Sequence, residues 1–344
     1  MRIIPNYDKA YHIGKQYTDD TALSNTLKYI YDLHYTCYML CVKDHKGDLY
    51  KLESGGDPKR DRVINRTLRK KRIPGRNKTW RVMQCIVKPF KKVSTFAKEW
   101  DSFLKGLHLP NGVFILSLSD SVLLSNDKKG SFLPVFAYSG KKGYRDVPIP
   151  TYDDIFDSKV GNLETEWSAK KDVAVFRGSS TGCGTTTETN MRLKLATMRS
   201  DDLDVGITAY TENVKIDPIK GLSKVEKVVD LVKPLSMEDQ SRYKYIIHID
   251  GNVAAYRLLK TMLTGSLILR VKSPYYMWSD SFLKAGTHYV EVKEDLSNLE
   301  SVLRWCRKND AKCKQIAENA MREAERLLDP EFIKKTFVSL LSSP

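Results

Sequence analysis

A chain of 344 residues with 41% hydrophobic content is long enough to build two domains, each with its own core. Its formal charge of +15 is strongly basic, yet no stretch approaches the ~20 apolar residues of a membrane span. Nor do residues 1–20 hold an apolar signal-peptide core, so a cytoplasmic setting is expected. The six cysteines (Cys37, Cys41, Cys85, Cys183, Cys306 and Cys313) form no CxxC pair, and no histidine completes a zinc pattern. Free thiols in a reducing compartment and no metal site follow.

The charge is uneven. Residues 1–150 hold 28 Lys and Arg against 14 Asp and Glu, whereas residues 151–344 hold 29 against 28. This predicts a basic first domain over 1–150 and a nearly neutral second over 151–330, with helix 331–344 returning to the first. The basic half suits an anionic partner.

In chain order, helical spacing near Ala22–Tyr31 precedes two short strands, Tyr35–Val42 and Gly47–Leu52, that read as a hairpin. Pro58–Lys78 holds ten Lys and Arg and one acid. It reads either as a solvated face or as a phosphate contact, but without an interleaved aromatic it makes a poor single-strand platform. Trp80–Val87 reads as a strand and Ser94–Leu107 as a helix. The apolar run Gly112–Leu118 predicts a central strand ending at Ser119-Asp120. An acid at the carboxyl end of a buried parallel strand faces the ligand crevice of α/β proteins, so Asp120 is a candidate general base; a turn aspartate is the alternative. Phe132–Tyr138 reads as the next strand and Val147–Pro150 as a rigid junction.

In the second half, strand Asp172–Phe176 runs into the glycine- and hydroxyl-rich loop Arg177–Gly184. This loop fits neither a P-loop nor a dinucleotide fingerprint. Thr189–Ser200 reads as a helix and Asp201–Asp204 as a solvated acidic loop. Val205–Thr208 and Val228–Val232 read as short strands. Tyr243–Val271 then gives strand, tight turn, helix and strand: Tyr245–Ile249, a break at Asp250-Gly251-Asn252, a helix over Val253–Thr264, Gly265 as its C-cap, and Ser266–Val271. Unpaired amides near Gly251–Ala254 at such a helix start would favour a diphosphate, and Arg257 could add a guanidinium. The alternative is an N-capping Asp250 and a surface Arg257. Strand His288–Val292 and helices Leu296–Arg307, Cys313–Leu328 and Phe332–Leu341 complete an α/β pattern in both halves.

Gly112–Asp120, Val147–Pro150, Trp167 with Lys170, Phe176-Arg177-Gly178-Ser179, Lys244-Tyr245 through Asp250-Gly251 to Ala254-Ala255-Tyr256-Arg257, His288–Val290 and Asp295–Leu299 occur in one order over roughly residues 110–320. This set resembles the Rumi-like protein O-glucosyltransferase and capsule-associated xylosyltransferase family. The resemblance implies a GT-B fold, with two Rossmann-like domains, largely parallel sheets and a cleft between them. It also implies inverting, metal-independent transfer from UDP-glucose or UDP-xylose to a hydroxyl of a glycan or glycoprotein, with the acceptor held by the first domain and the donor by the second. The family's catalytic aspartate falls on Asp120. Its donor-binding motifs fall on Phe176, Arg177, Gly178 and Ser179 and on Asp250, Gly251, Val253, Ala254, Ala255 and Arg257. No cofactor beyond the sugar donor is implied. Ser119-Asp120-Ser121-Val122 departs from the family's usual Arg-Asp-(Tyr/Trp)-Pro. A nucleic-acid-binding protein using residues 58–78 is the rival reading; a second rival, a nucleotide-sugar-modifying oxidoreductase, would need a dinucleotide fingerprint that is missing.

Overall fold

The computed structural model describes residues 2–4, 7–18, 21–33, 37–52, 93–118, 120, 122–157, 163, 165–212 and 214–342. The basic stretch Pro58–Lys78 and the predicted strand Trp80–Val87 lie outside them. The chain divides into two compact units. Unit 1 takes in residues 1–119, 126–136 and 341–344, and unit 2 takes in 120–125 and 137–340. These units divide the chain at 119–120 and 136–137 rather than at residue 150, and Asp120 belongs to the second unit.

Unit 1 contains strands β1 (Arg2–Ile4), β2 (Cys37–Lys43), β3 (Lys46–Leu52), β4 (Gly112–Ser117) and β5 (Val135–Ala137), in the order β1-β3-β2-β4-β5. Helices α1 (Tyr7–Gly14), α2 (Thr21–Leu33) and α3 (Val93–Lys105) accompany them. The expectation of a largely parallel sheet fails here. β1 and β3 pair parallel, but β2 pairs antiparallel with both β3 and β4. The cause is local. Asp44 and His45 both adopt positive φ (50° and 63°), and two such residues make the tight turn that folds β2 back on β3. Strand β5 is shorter than Phe132–Tyr138 because Pro134 brings no amide donor to a ladder.

Unit 2 is built on strands β6 (Lys171–Ser179), β7 (Leu203–Ala209), β10 (Tyr243–His248), β11 (Leu267–Val271) and β12 (Val290–Val292), all parallel. Strands β8 (Val214–Asp217) and β9 (Gly221–Lys224) form a separate antiparallel hairpin, and the strand expected at Val228–Val232 does not form. The sheet order is β12-β11-β10-β6-β7. Numbered by their place in the chain, these five strands run 5-4-3-1-2, a doubly wound order that reverses direction between β6 and β10. Helix α4 (Tyr152–Phe156) opens the unit behind a capping box of Thr151 and Asp154. Helices α5 (Met191–Thr197), α6 (Leu258–Met262), α7 (Leu299–Lys308) and α8 (Asp310–Leu327) follow, and α9 (Pro330–Ser342) ends the chain. Helix α5 packs on β7, and α8 packs on α6 and β11. Phe176, Leu193, Ile207, Tyr245, Ile247, Leu269, Leu303 and Ile316 share one buried core.

At the amino ends of the strands, Lys170 is buried. Its ammonium donates to the Ser241 carbonyl (2.5 Å), the Thr264 carbonyl (2.9 Å) and Ser266 Oγ (3.3 Å). Asp310 accepts from Trp167 Nε1 at 3.0 Å and from Lys244 Nζ at 2.7 Å. Trp167 and Lys170 therefore clamp the end of the sheet away from the ligand crevice. Among the described residues, no helix is long and apolar enough to cross a membrane.

Candidate active site

The reversal between β6 and β10 opens a crevice outside their carboxyl ends, where ligands of doubly wound sheets bind. The loops after both strands meet there, and Arg192, from the first turn of α5, joins them. Its Nε donates to the Asp250 carbonyl (2.9 Å) and one terminal nitrogen to the Ile249 carbonyl (2.9 Å). The other donates to the Ser179 carbonyl (3.2 Å) and Thr181 Oγ1 (2.6 Å). Burial, then repulsion from Arg257, lowers its pKa to about 10, so it stays charged at neutral pH. The position was signalled: Arg192 shares the inward face of α5 with Leu195 and Ala196 at helical spacing.

Glycine is needed where the two loops approach. A Cβ on Gly251 would stand 3.0 Å from Thr181 Oγ1 and 3.3 Å from the Arg192 guanidinium. On Gly178 it would stand 2.9 Å from the Phe176 ring. That ring is fully buried, with the Arg192 and Arg257 guanidinium carbons each 5.7 Å from its centroid. Two cations lie over one aromatic ring, which offsets part of their mutual repulsion.

The turn at 251–257 differs from its sequence reading. The helix starts at Leu258, not Val253. Asp250 Oδ1 captures the Ala255 amide at 2.8 Å, Gly251 N–H bonds the Val253 carbonyl at 3.0 Å, and Ala254 N–H bonds Ser139 Oγ at 3.2 Å. These bonds hold an irregular turn that helical hydrogen bonding would break. The amides of Gly251, Ala254 and Ala255 are therefore used internally, and Val253 is buried. Arg257 is different. One of its nitrogens donates to the Arg177 carbonyl at 2.9 Å, and this is its one hydrogen bond among the described residues. The rest of the guanidinium remains for an anion.

Arg177 does not reach the crevice. Its guanidinium bonds the Asp204 carbonyl (2.7 Å) and carboxylate on β7, where Tyr243 also bonds that carboxylate. Asp204 therefore lies in a strand and an ion pair, not in a solvated loop. Ser179 contributes its carbonyl to Arg192, and its Oγ lies 3.3 Å from Thr181 Oγ1. Asn252 Oδ1 accepts from the Gly182 amide at 3.1 Å, a second bond between the loops.

Beneath the turn, His248 is buried with no partner for Nδ1 among the described residues. Its pKa is pushed well below 6.5 by burial, then by Arg270, Arg257 and Arg192, so the ring is neutral. Asp250 goes the other way: burial raises its carboxyl, opposed by bonds from Ser273 and Ala255 and by Arg270 and Arg192. Below about pH 6.5 the unfolded chain takes a proton that folded His248 refuses, so stability falls with falling pH. His248→Asn should flatten that fall in melting temperature between roughly pH 7 and pH 5. An unchanged slope would assign the acid sensitivity elsewhere.

Asp120 is exposed and held with unit 2 by the next residues. Asp146, itself buried, accepts the amides of Leu123 (2.8 Å) and Leu124 (2.9 Å). The Asp120 carboxylate faces Tyr256 of the 251–257 turn and contributes to raising its phenol's pKa. β4, which leads to Asp120, pairs antiparallel with β2, and the Asp146 anchor and Tyr256 define the place of Asp120. Among the described residues, no group of three or more His, Cys, Asp or Glu side chains is arranged to hold a metal ion.

The profile of glycosyl transferase family 90 matches residues 102–343. The chain belongs to glycosyl transferase family 90. Asp120 and every residue of the crevice lie inside the family 90 match, whereas β1 to β3 lie outside it. Relatives include uncharacterized protein 035R of Invertebrate iridescent virus 3, 37% identical over 223 residues, 59% of this chain and 20% of that one. Protein O-glucosyltransferase 3 of Mus musculus is 32% identical over 247 residues, 67% of this chain and 46% of that one. The chain thus spans from a fifth to just under half of these two relatives. A solved structure of Anabaena HepE in complex with UDP-glucose aligns with a TM-score of 0.37 at 15% identity, covering 62% of this chain and 65% of that one.

Proposed function

We propose that the chain transfers glucose or xylose from a UDP-sugar to a hydroxyl of a glycan or protein acceptor, with inversion and without a metal. The observation that carries this reading is the crevice between β6 and β10, where the largely unused Arg257 guanidinium lies one residue from the tyrosine facing Asp120. Family membership and the protein O-glucosyltransferase relatives support sugar transfer. A GT-B architecture belongs to the proposal, with unit 2 holding the donor and unit 1 the acceptor.

An acceptor hydroxyl is a weak nucleophile, so a carboxylate must take its proton as it attacks the anomeric carbon. Asp120 is that base. Attack from the face opposite the diphosphate inverts the centre, and the departing UDP gains negative charge. Arg257 meets that charge, within the positive field of Arg192 and Arg270. Arg192 is fully bonded to backbone and Thr181, so it shapes the crevice, whereas Arg257 has N–H groups to give.

Arg257→Ala should weaken UDP binding about 10- to 100-fold in a titration, the range of a charge-assisted hydrogen bond. Unchanged affinity would remove the diphosphate contact. The function itself is tested by hydrolysis of UDP-glucose and UDP-xylose without acceptor, with and without a chelator. Turnover indifferent to chelation is expected. Loss of turnover on chelation would end the metal-free reading, and no turnover of any UDP-sugar would end the donor assignment.

A further inference from the structure

The Tyr256 hydroxyl is buried and makes no hydrogen bond among the described residues. Its ring packs edge-on against Tyr138, with centroids 5.8 Å apart and planes at 77°. The neighbouring Ser139 holds the Ala254 amide, so ring and turn are fixed together from both sides. The group facing the hydroxyl is Asp120. Burial, then the nearby charge of Asp120, with Tyr138 and Asp250 adding their charges, raise the phenol far above its usual 10. The phenol is therefore protonated at any working pH. A buried donor left unmade beside a carboxylate is costly unless the bond forms in another state of the enzyme.

We propose that Tyr256 is a positioning residue for Asp120: its hydroxyl donates to one carboxylate oxygen when the acceptor is bound, leaving the other to receive the nucleophile's proton. This rests on Asp120 being the base. In the step itself, the acceptor O–H proton passes to Asp120 and the acceptor oxygen bonds the anomeric carbon. The bond from that carbon to the diphosphate breaks, and UDP leaves with the electron pair. The Tyr256 proton stays on its phenol throughout. Facing Asp120 and adjoining Arg257 in the chain, Tyr256 ties the place where the proton goes to the place where the leaving group is held.

Tyr256→Phe removes the hydroxyl and keeps the ring against Tyr138. It should lower kcat about 10- to 100-fold. Donor KM and the UDP-induced rise in melting temperature should not change. The acid limb of kcat against pH, which reports the bound complex, should move upward, because there the carboxylate loses a donor that favours its charged form. A packing role alone would lower the melting temperature without moving that limb. Tyr256→Met, which also loses the ring, provides the contrast: both variants slow to a similar degree supports a role for the hydroxyl. Phe activity within twofold of the parent, with an unmoved acid limb, overturns the proposal while leaving the base intact. Full activity in Asp120→Asn removes both.

Discussion

Asp120→Asn should abolish sugar transfer while leaving UDP affinity nearly unchanged. Asparagine keeps the size of the side chain and its exposed position but cannot accept a proton at neutral pH. The lost general-base contribution is about 10²- to 10⁴-fold. The proposed diphosphate contact should be unaffected, because Arg257 bonds the Arg177 carbonyl, not Asp120. The measurement pairs a transfer assay with a UDP titration. Full transfer would exclude Asp120 as the base. A parallel loss of UDP binding would mean that the carboxylate acts on the donor instead.

Arg192→Met should cost both stability and the site. Two effects oppose each other. Removing a buried guanidinium relieves its desolvation and its repulsion of Arg257, whereas the carbonyls of Ser179, Ile249 and Asp250 lose their donors. Buried acceptors left bare cost about 1–3 kcal/mol each, and three of them outweigh the relief. The net loss is on the order of 3 kcal/mol, or roughly 6–12 °C in melting temperature for a unit of this size. UDP binding should fall as well, since the loops after β6 and β10 lose the bonds that Arg192 gives them. Arg192→Lys should not rescue either property, because one ammonium cannot serve four acceptors spread over both loops. A melting temperature unchanged in Arg192→Met would show that water takes over those carbonyls without cost.

The parallel sheet of unit 2 was legible because its strands are short runs of buried, β-branched or aromatic residues bounded by breaks. Tyr243–His248 and Leu267–Val271 fall close to where the sequence places them. What was illegible depended on partners distant in the chain. Val253, Ala254 and Leu258 have helical spacing, but Asp250 and Ser139 take the amides that a helix would need elsewhere. Of the two arginines near the loop after β6, Arg177 stands in the motif yet turns to Asp204, while Arg192 joins the strand ends. Strand alternation places Phe176 and Arg177 on opposite faces, so the motif's arginine could not stay beside its phenylalanine. In unit 1 the hairpin was legible and its consequence was missed: folding back on Lys46–Leu52, Cys37–Lys43 meets Gly112–Ser117 antiparallel, not parallel.

The strand order of unit 2 also bears on how the protein reaches its native state. Strand β6 must keep its edge open until Tyr243–His248 arrives, although Leu203–Ala209 emerges sooner and pairs on the other side. Such a long-range closure is slow, because the loop entropy is spent before any contact rewards it. The proposed affinity for UDP should therefore be the last property acquired during refolding, well after most helical signal has returned.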